Sequence, residues 1–250
     1  MSIAALQAMK DRGEKIAVLT CYDYPTARLL DEAGLDLLLV GDSLGMVVLG
    51  YPDTTLVTMD EMLHHTRAVA RGAQRVPILA DLPIASYDTP EAALANASRL
   101  IAAGAHAVKL EGGASHAAQI AALAAAGIPV MAHIGMQPQR VRIEGGYRVK
   151  GKTPEDAARL LADAHAVSQA GAFGLLLELV QPAVAAQITR AIRIPTIGIG
   201  AGADCDGQVL VTHDLIGFFP WFTPRFVTPR ASVAAEIQRA AREFLRATKD

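Results

Sequence analysis

Eight short apolar runs recur along the chain, and their spacing constrains the fold more than any other feature. They occupy residues 16–20, 37–40, 77–80, 107–110, 130–132, 174–177, 196–199 and 208–211. Each is nearly continuous in Val, Ile, Leu and Ala rather than alternating with polar residues, the pattern of a strand buried on both faces. Longer amphipathic stretches lie between them, among them residues 59–71, 90–103, 154–170 and 184–192. Several open on marked helix starts: Thr89-Pro90-Glu91 and Thr153-Pro154-Glu155 put a capping hydroxyl, a first-turn proline and an acid at the positive helix end. Strand–helix alternation of this kind builds a parallel sheet, and eight repeats favour closure into a (β/α)8 TIM barrel over an open sheet. The 250 residues match one such barrel, so a single domain over 1–250 is expected, with an N-terminal lead-in and a C-terminal helix at 232–247.

Composition narrows the partners. With 52% hydrophobic but only 5% aromatic residues, the core is expected to use small aliphatic side chains. A net charge of −2, with no long run of Lys or Arg, argues against nucleic acid. The first fifteen residues have no basic segment followed by an apolar one, and no stretch is long enough to span a bilayer; a cytoplasmic protein without a membrane partner is expected. Cys21 and Cys205 stand far apart outside any metal-ligand spacing and read as packing thiols.

In a barrel, side chains that do chemistry follow the C-terminal ends of the strands. The residues there are Tyr22 and Asp23, Asp42 and Ser43, Asp81, Lys109 and Glu111, His133, and Glu178. Any one acid after a strand can be a mere turn former. Asp42 and Asp81, however, end consecutive strands, and the two-residue spacing of Lys109 and Glu111 sends both side chains the same way. Three acids crowded into one sector raise one another's pKa, and a cation among them relieves the repulsion. Oxygen-only ligands favour Mg2+. His64, His65 and His106 fall outside this sector and read as surface or packing residues. Two insertions, 45–58 and 135–152, follow strand ends and read as binding loops; the second carries Arg140, Arg142, Arg148, Lys150 and Lys152 and suggests a mobile flap that meets an anionic substrate, although a solvated charged loop would look much the same. The Gly198–Ala203 run fits G-x-G-x-x-A but falls in the seventh unit instead of opening the fold, where glycines can simply let a loop pass close to the barrel mouth.

Several of these residues stand in motifs that resemble the ketopantoate hydroxymethyltransferase family. They are Val40-Gly41-Asp42-Ser43-Leu44-Gly45-Met46, Asp81-Leu82-Pro83, Val108-Lys109-Leu110-Glu111-Gly112-Gly113 and Ala132-His133-Ile134-Gly135, extended by Gly145-Gly146-Tyr147-Arg148-Val149-Lys150-Gly151 and Asp206-Gly207-Gln208-Val209-Leu210-Val211. The resemblance implies transfer of a hydroxymethyl group from 5,10-methylenetetrahydrofolate to 3-methyl-2-oxobutanoate through a Mg2+-stabilised enolate, forming 2-dehydropantoate on the route to pantothenate. On the family pattern Asp42 and Asp81 hold Mg2+, with Glu111 bound directly or through water. Ser43 and Lys109, beside Asp42 and Asp81, bind the oxo acid, Glu178 is the general base, and Tyr22 and His133 support the site. The resemblance further implies a homo-oligomer, a decamer. The chain departs from the pattern after Glu178, where Leu179, Val180 and Gln181 replace a small Ser or Cys and Val-Pro, and after Phe226. The alternatives are a Mg2+-dependent oxo-acid lyase or mutase of the isocitrate lyase type, whose Lys-Lys-Cys-Gly-His motif is absent here, and a barrel scaffold that has lost catalysis, which would be expected to lack site residues that this chain has.

Overall fold

The apolar runs become the eight strands of a closed barrel in a computed structural model that describes residues 2–249. They are β1 (Ile16–Thr20), β2 (Leu37–Val40), β3 (Ile78–Asp81), β4 (Ala107–Glu111), β5 (Val130–Gly135), β6 (Gly174–Glu178), β7 (Thr196–Ile199) and β8 (Gly207–Leu210), paired in chain order. Four of them, β3 to β6, run one to three residues past the apolar run that marks them in the sequence. Main-chain pairing therefore continues into the polar residues at the barrel mouth. Asp81 lies in register with Lys109, Glu111 with His133, and Gly135 with Glu178.

The helices are α1 (Ile3–Asp11), α2 (Tyr24–Ala33), α3 (Leu44–Val47), α4 (Met59–Gly72), α5 (Pro90–Ala102), α6 (Ala117–Ala125), α7 (Val141–Glu144), α8 (Pro154–Gln169), α9 (Pro182–Ala191), α10 (Thr212–Leu215) and α11 (Val233–Lys249). The expected starts are made by real caps: Thr89 accepts from the Ala92 N–H and Thr153 from the Asp156 N–H. At α4, Thr58 and Glu61 complete a reciprocal capping box. Caps of this type stabilise a helix by about 1 kcal/mol each.

Apolar side chains fill both sides of the sheet. One cluster packs helices on strands, and a second fills the barrel interior with Val18, Leu39, Leu79, Met131, Leu176 and Ile197. Helix α1 contributes Leu6 and Met9 to that second cluster. Lys10 fastens α1 there, donating to Asp206 at 2.8 Å and to the carbonyls of Thr189 and Ile194.

The regular alternation lapses once, between β7 and β8, where residues 200–206 form a loop with no helix. The G-x-G-x-x-A run therefore lacks the strand–turn–helix setting of a dinucleotide site. Its glycines serve close packing: a Cβ on Gly198 would lie 2.9 Å from Cys205 Sγ, and one on Gly202 would lie 2.8 Å from Pro182 Cβ.

The chain forms two compact units, one up to Val209 and one from Leu210 onward. The second holds α10 and α11; none of the residues of α11 is buried. The insertions belong to the first unit and pack on each other. The first forms α3 and a turn at Thr54–Leu56, the second a turn at Pro138–Arg140 and α7. Arg142 donates to Asp53 at 2.8 Å, and Lys150 pairs with Glu144. Two of the five cations of the basic segment are thus matched locally. The segment is further tied to the barrel through main-chain bonds from Lys150 N to Leu179 O and from Gln181 N to Lys150 O, at 2.7 and 2.9 Å.

Candidate active site

The strand-end residues converge. Strand β3 ends on Asp81 and β4 carries Lys109 beside it, so the ammonium reaches Asp81 Oδ1 at 2.9 Å with both side chains almost wholly buried. Asp42 follows β2 directly, and its N–H donates to Asp81 Oδ2 at 3.1 Å. Gly41 makes room for this turn, since a Cβ there would stand 2.9 Å from Ser43 Oγ. Ser43 Oγ shares a 2.8 Å hydrogen bond with the hydroxyl of Tyr22, which is buried at the end of β1. Across the mouth, His133 on β5 lies between two carboxylates: Nδ1 is 3.5 Å from Glu111 and Nε2 is 3.5 Å from Glu178. Neither ring nitrogen has a hydrogen-bond partner of good geometry. Glu178 closes β6 and is the most open of these acids, with 15% of its side chain exposed.

Burial with like charges sets the electrostatics. Asp42 is pushed well above the usual carboxylate range, by burial first and then by Asp81 and Glu111. Glu111 is raised to about 8, mainly by burial, with Lys109 opposing. Glu178 also rises to about 8, through burial and then the charge of Glu111. Burial would lower Lys109, but Asp81, Glu111 and Asp42 together outweigh it and keep the ammonium charged. His133 is driven well below its ordinary value by burial and by Lys109, so it is neutral. An excess of carboxylate over cationic charge in one buried cluster is a setting that a divalent ion stabilises.

The donor set fits a hexacoordinate hard ion that keeps its own water. Among the described residues no three His, Cys, Asp or Glu side chains converge tightly enough to cage a metal by themselves. Mg2+ does not need such a cage, being held commonly by one or two carboxylates with waters and substrate oxygens. Asp42 Oδ2 accepts a hydrogen bond while Oδ1 takes none from the protein, and Asp81 Oδ1 has only the charge contact with Lys109. Both oxygens of Glu111 meet other partners: Oε2 accepts the Gln139 N–H at 3.0 Å and Oε1 lies 3.5 Å from His133 Nδ1.

Two further residues belong to the site that strand-end reasoning does not reach. Gln139, in the turn of the second insertion, donates from Nε2 to Asp42 Oδ2 at 2.8 Å and to Leu82 O at 3.0 Å. Tyr87, buried on the loop after β3, donates to Gln139 Oε1 and lies 3.2 Å from Glu111 O. A polar residue in a long loop carries no periodic signal, and nothing separates Gln139 from Gln137 in the sequence. The histidines read as packing residues do pack: His65 Nδ1 bonds to Tyr22 O, and His106 Nδ1 accepts the Ile78 N–H.

Fold and site together define the class: a (β/α)8 barrel of the enzyme type, with buried acids and one charged lysine clustered at its C-terminal mouth, where barrel enzymes carry their chemistry. Similarity narrows the class. A family model described as ketopantoate hydroxymethyltransferase matches residues 1–250. A 3-methyl-2-oxobutanoate hydroxymethyltransferase of Carboxydothermus hydrogenoformans is 52% identical, covering 100% of this chain and 91% of its own. One from Thiobacillus denitrificans is also 52% identical, with coverage of 100% and 95%. The chain belongs to the ketopantoate hydroxymethyltransferase family. Solved structures share the fold at much lower identity: a phosphonopyruvate hydrolase (TM-score 0.68, 17% identity, 100% and 88% coverage) and a 2,3-dimethylmalate lyase of the PEP mutase/isocitrate lyase superfamily (0.64, 18%, 100% and 89%).

Proposed function

We propose that this chain transfers a hydroxymethyl group from 5,10-methylenetetrahydrofolate to 3-methyl-2-oxobutanoate, forming 2-dehydropantoate, with Glu178 as base and Asp42 and Asp81 as the seat of Mg2+. The observation that carries the reading is the presence, in one buried cluster at the barrel mouth, of a charged Lys109 beside Asp81 and of Glu178, a carboxyl group whose pKa is raised to about 8. Glu178 removes the C3 proton of the oxo acid, and C3 bonds to the folate methylene carbon as one of that carbon's two bonds to folate nitrogen breaks; water then supplies the hydroxyl as the second carbon–nitrogen bond breaks, and the protons released from C3 and from water end on the two folate nitrogens. A carboxylate with pKa near ambient pH combines useful basicity with a sizeable ionised fraction. Lys109 suits the substrate carboxylate and the charge that develops on the keto oxygen, through charge-assisted hydrogen bonding. Ser43, oriented by Tyr22, offers a further donor. Neutral His133, with unpartnered ring nitrogens, is placed to hold the Glu178 carboxyl group or a water beside it. Mg2+, when bound, supplies Lewis-acid polarisation of the keto group.

The lyase reading rests on likeness of fold, which relatives of very different chemistry share. The scaffold reading expects missing site residues, whereas all those named here are present. Formation of 2-dehydropantoate from the two substrates with Mg2+ tests the proposal, and no product with the folded protein would overturn it. The same reading has the chain working in the cytoplasm as a homo-oligomer; buried, unpaired Cys21 and Cys205 suit a reducing compartment. A light-scattering mass tests the assembly. No helix among the described residues is long and apolar enough to cross a membrane.

A further inference from the structure

Gln139 is buried, and all its polar groups except the carbonyl are spent on the residues around the proposed cation seat. Its side-chain amide donates to Asp42 Oδ2 and to Leu82 O, its Oε1 accepts from Tyr87, and its own N–H donates to Glu111 Oε2. An amide can be placed either way round, but here only one way is satisfied. Turning it over would set Oε1 against two acceptors, the Asp42 carboxylate and the Leu82 carbonyl. The Tyr87 hydroxyl is matched to the same orientation, donating to the oxygen end.

We infer that Gln139 is a positioning residue that aims Asp42 at the cation, with Tyr87 holding the amide in its working orientation; this rests on the cation reading above. With Oδ2 tied to Gln139, the Asp42 carboxylate can no longer rotate freely about its last bond, and Oδ1 is the oxygen that takes no protein hydrogen bond. The same residue ties down Oε2 of Glu111, so one side chain and one peptide N–H order two of the acids. Groups that orient a metal's ligands in this way typically change metal affinity by about 10–100-fold when removed.

The test is Mn2+ binding to the full-length protein without substrates, followed by electron paramagnetic resonance of the free ion, alongside the Mg2+ dependence of turnover. Gln139→Leu is expected to raise the Mn2+ dissociation constant by about 10–100-fold. It should raise the Mg2+ concentration for half-maximal activity in parallel, while kcat at saturating Mg2+ stays within a few-fold of the parent. Tyr87→Phe, which keeps the amide but removes the donor that holds its oxygen end, should shift both readouts in the same direction and less. Thermal melts monitor folding; if Gln139→Leu does not fold, Gln139→Asn and Tyr87→Phe carry the test. Parent-like Mn2+ binding in the folded variants overturns the inference. A fall in kcat with an unchanged Mg2+ requirement overturns it too. A parent protein that binds no Mn2+, or an Asp42→Asn variant that binds it normally, overturns the cation reading itself.

Discussion

Replacing Glu178 with Gln is expected to abolish proton abstraction while making the protein more stable at alkaline pH. The folded chain opposes ionisation of this carboxyl, first by burial and then through Glu111, which lifts its pKa from 4.5 to about 8. A carboxyl group that holds its proton better in the folded than the unfolded state leaves stability intact below the unfolded value. Stability then declines as the pH climbs toward the folded value and levels off above it. At about 1.36 kcal/mol per pKa unit, the ceiling on this loss is about 5 kcal/mol. Residual solvent contact of the side chain, at 15%, reduces what is realised. Gln does not ionise, so the variant should match the parent near pH 5 and exceed it by a few kcal/mol near pH 8.5. Urea unfolding at the two pH values without divalent ions measures the difference, and proton NMR in D2O follows loss of the C3–H signal of 3-methyl-2-oxobutanoate. Exchange at the parental rate would remove Glu178 as the base. A stability difference equal at both pH values would refute the buried-charge argument.

For the parent, C3 exchange should rise about ten-fold per pH unit below a midpoint near 8 when no cation is present. Added Mg2+ should move that midpoint lower by favouring the carboxylate, and a profile unmoved by Mg2+ would detach Glu178 from the cation site. Lys109→Met strands Asp81 without its buried counter-charge; stability should fall by about 3–5 kcal/mol in chemical denaturation, with a raised KM for the oxo acid. Gly135→Ala places a Cβ 2.2 Å from Glu178 O at a φ of +99°. It should reduce kcat more than substrate affinity and lower the melting temperature, and unchanged kinetics would show that the Glu178 backbone need not be held there. A chelator should abolish turnover, and Mn2+ or Mg2+ should restore it.

What could be read from the sequence depended on whether a residue lay on a periodic element. Strands buried on both faces announce themselves as apolar runs, so β1, β2 and β7 have the expected bounds, and Thr89 and Thr153 mark helix starts by a short-range rule that the structure obeys. Asp81, Lys109, Glu111, His133 and Glu178 were findable because barrel geometry puts strand ends at the mouth, and each turned out to lie on the hydrogen-bonded ladder itself. Gln139 and Tyr87 were not, because they reach the site from loops, and loop paths follow tertiary contacts that no local pattern encodes. The same limit applies to the basic segment. Its charges read as a flap for an anion, yet Arg142 and Lys150 find acids at Asp53 and Glu144, one of them in the other insertion. The helix missing between β7 and β8 was likewise hidden, since glycines that let a loop pass close to the barrel mouth do not say whether a helix follows.

The pairing of Asp81 with Lys109, Glu111 with His133 and Gly135 with Glu178 along the ladder bears on how such a chain can change over time. A strand that slips by one residue turns all its side chains to the opposite face. Within β3 to β6 a single-residue insertion or deletion would therefore do more than loosen packing. It would exchange the proposed reacting groups for their neighbours in one event, with no intermediate form retaining the full set. Changes in length are tolerable chiefly in the turns that lead into these strands from the opposite end of the barrel, while the stretches that carry the chemistry can drift only by substitution.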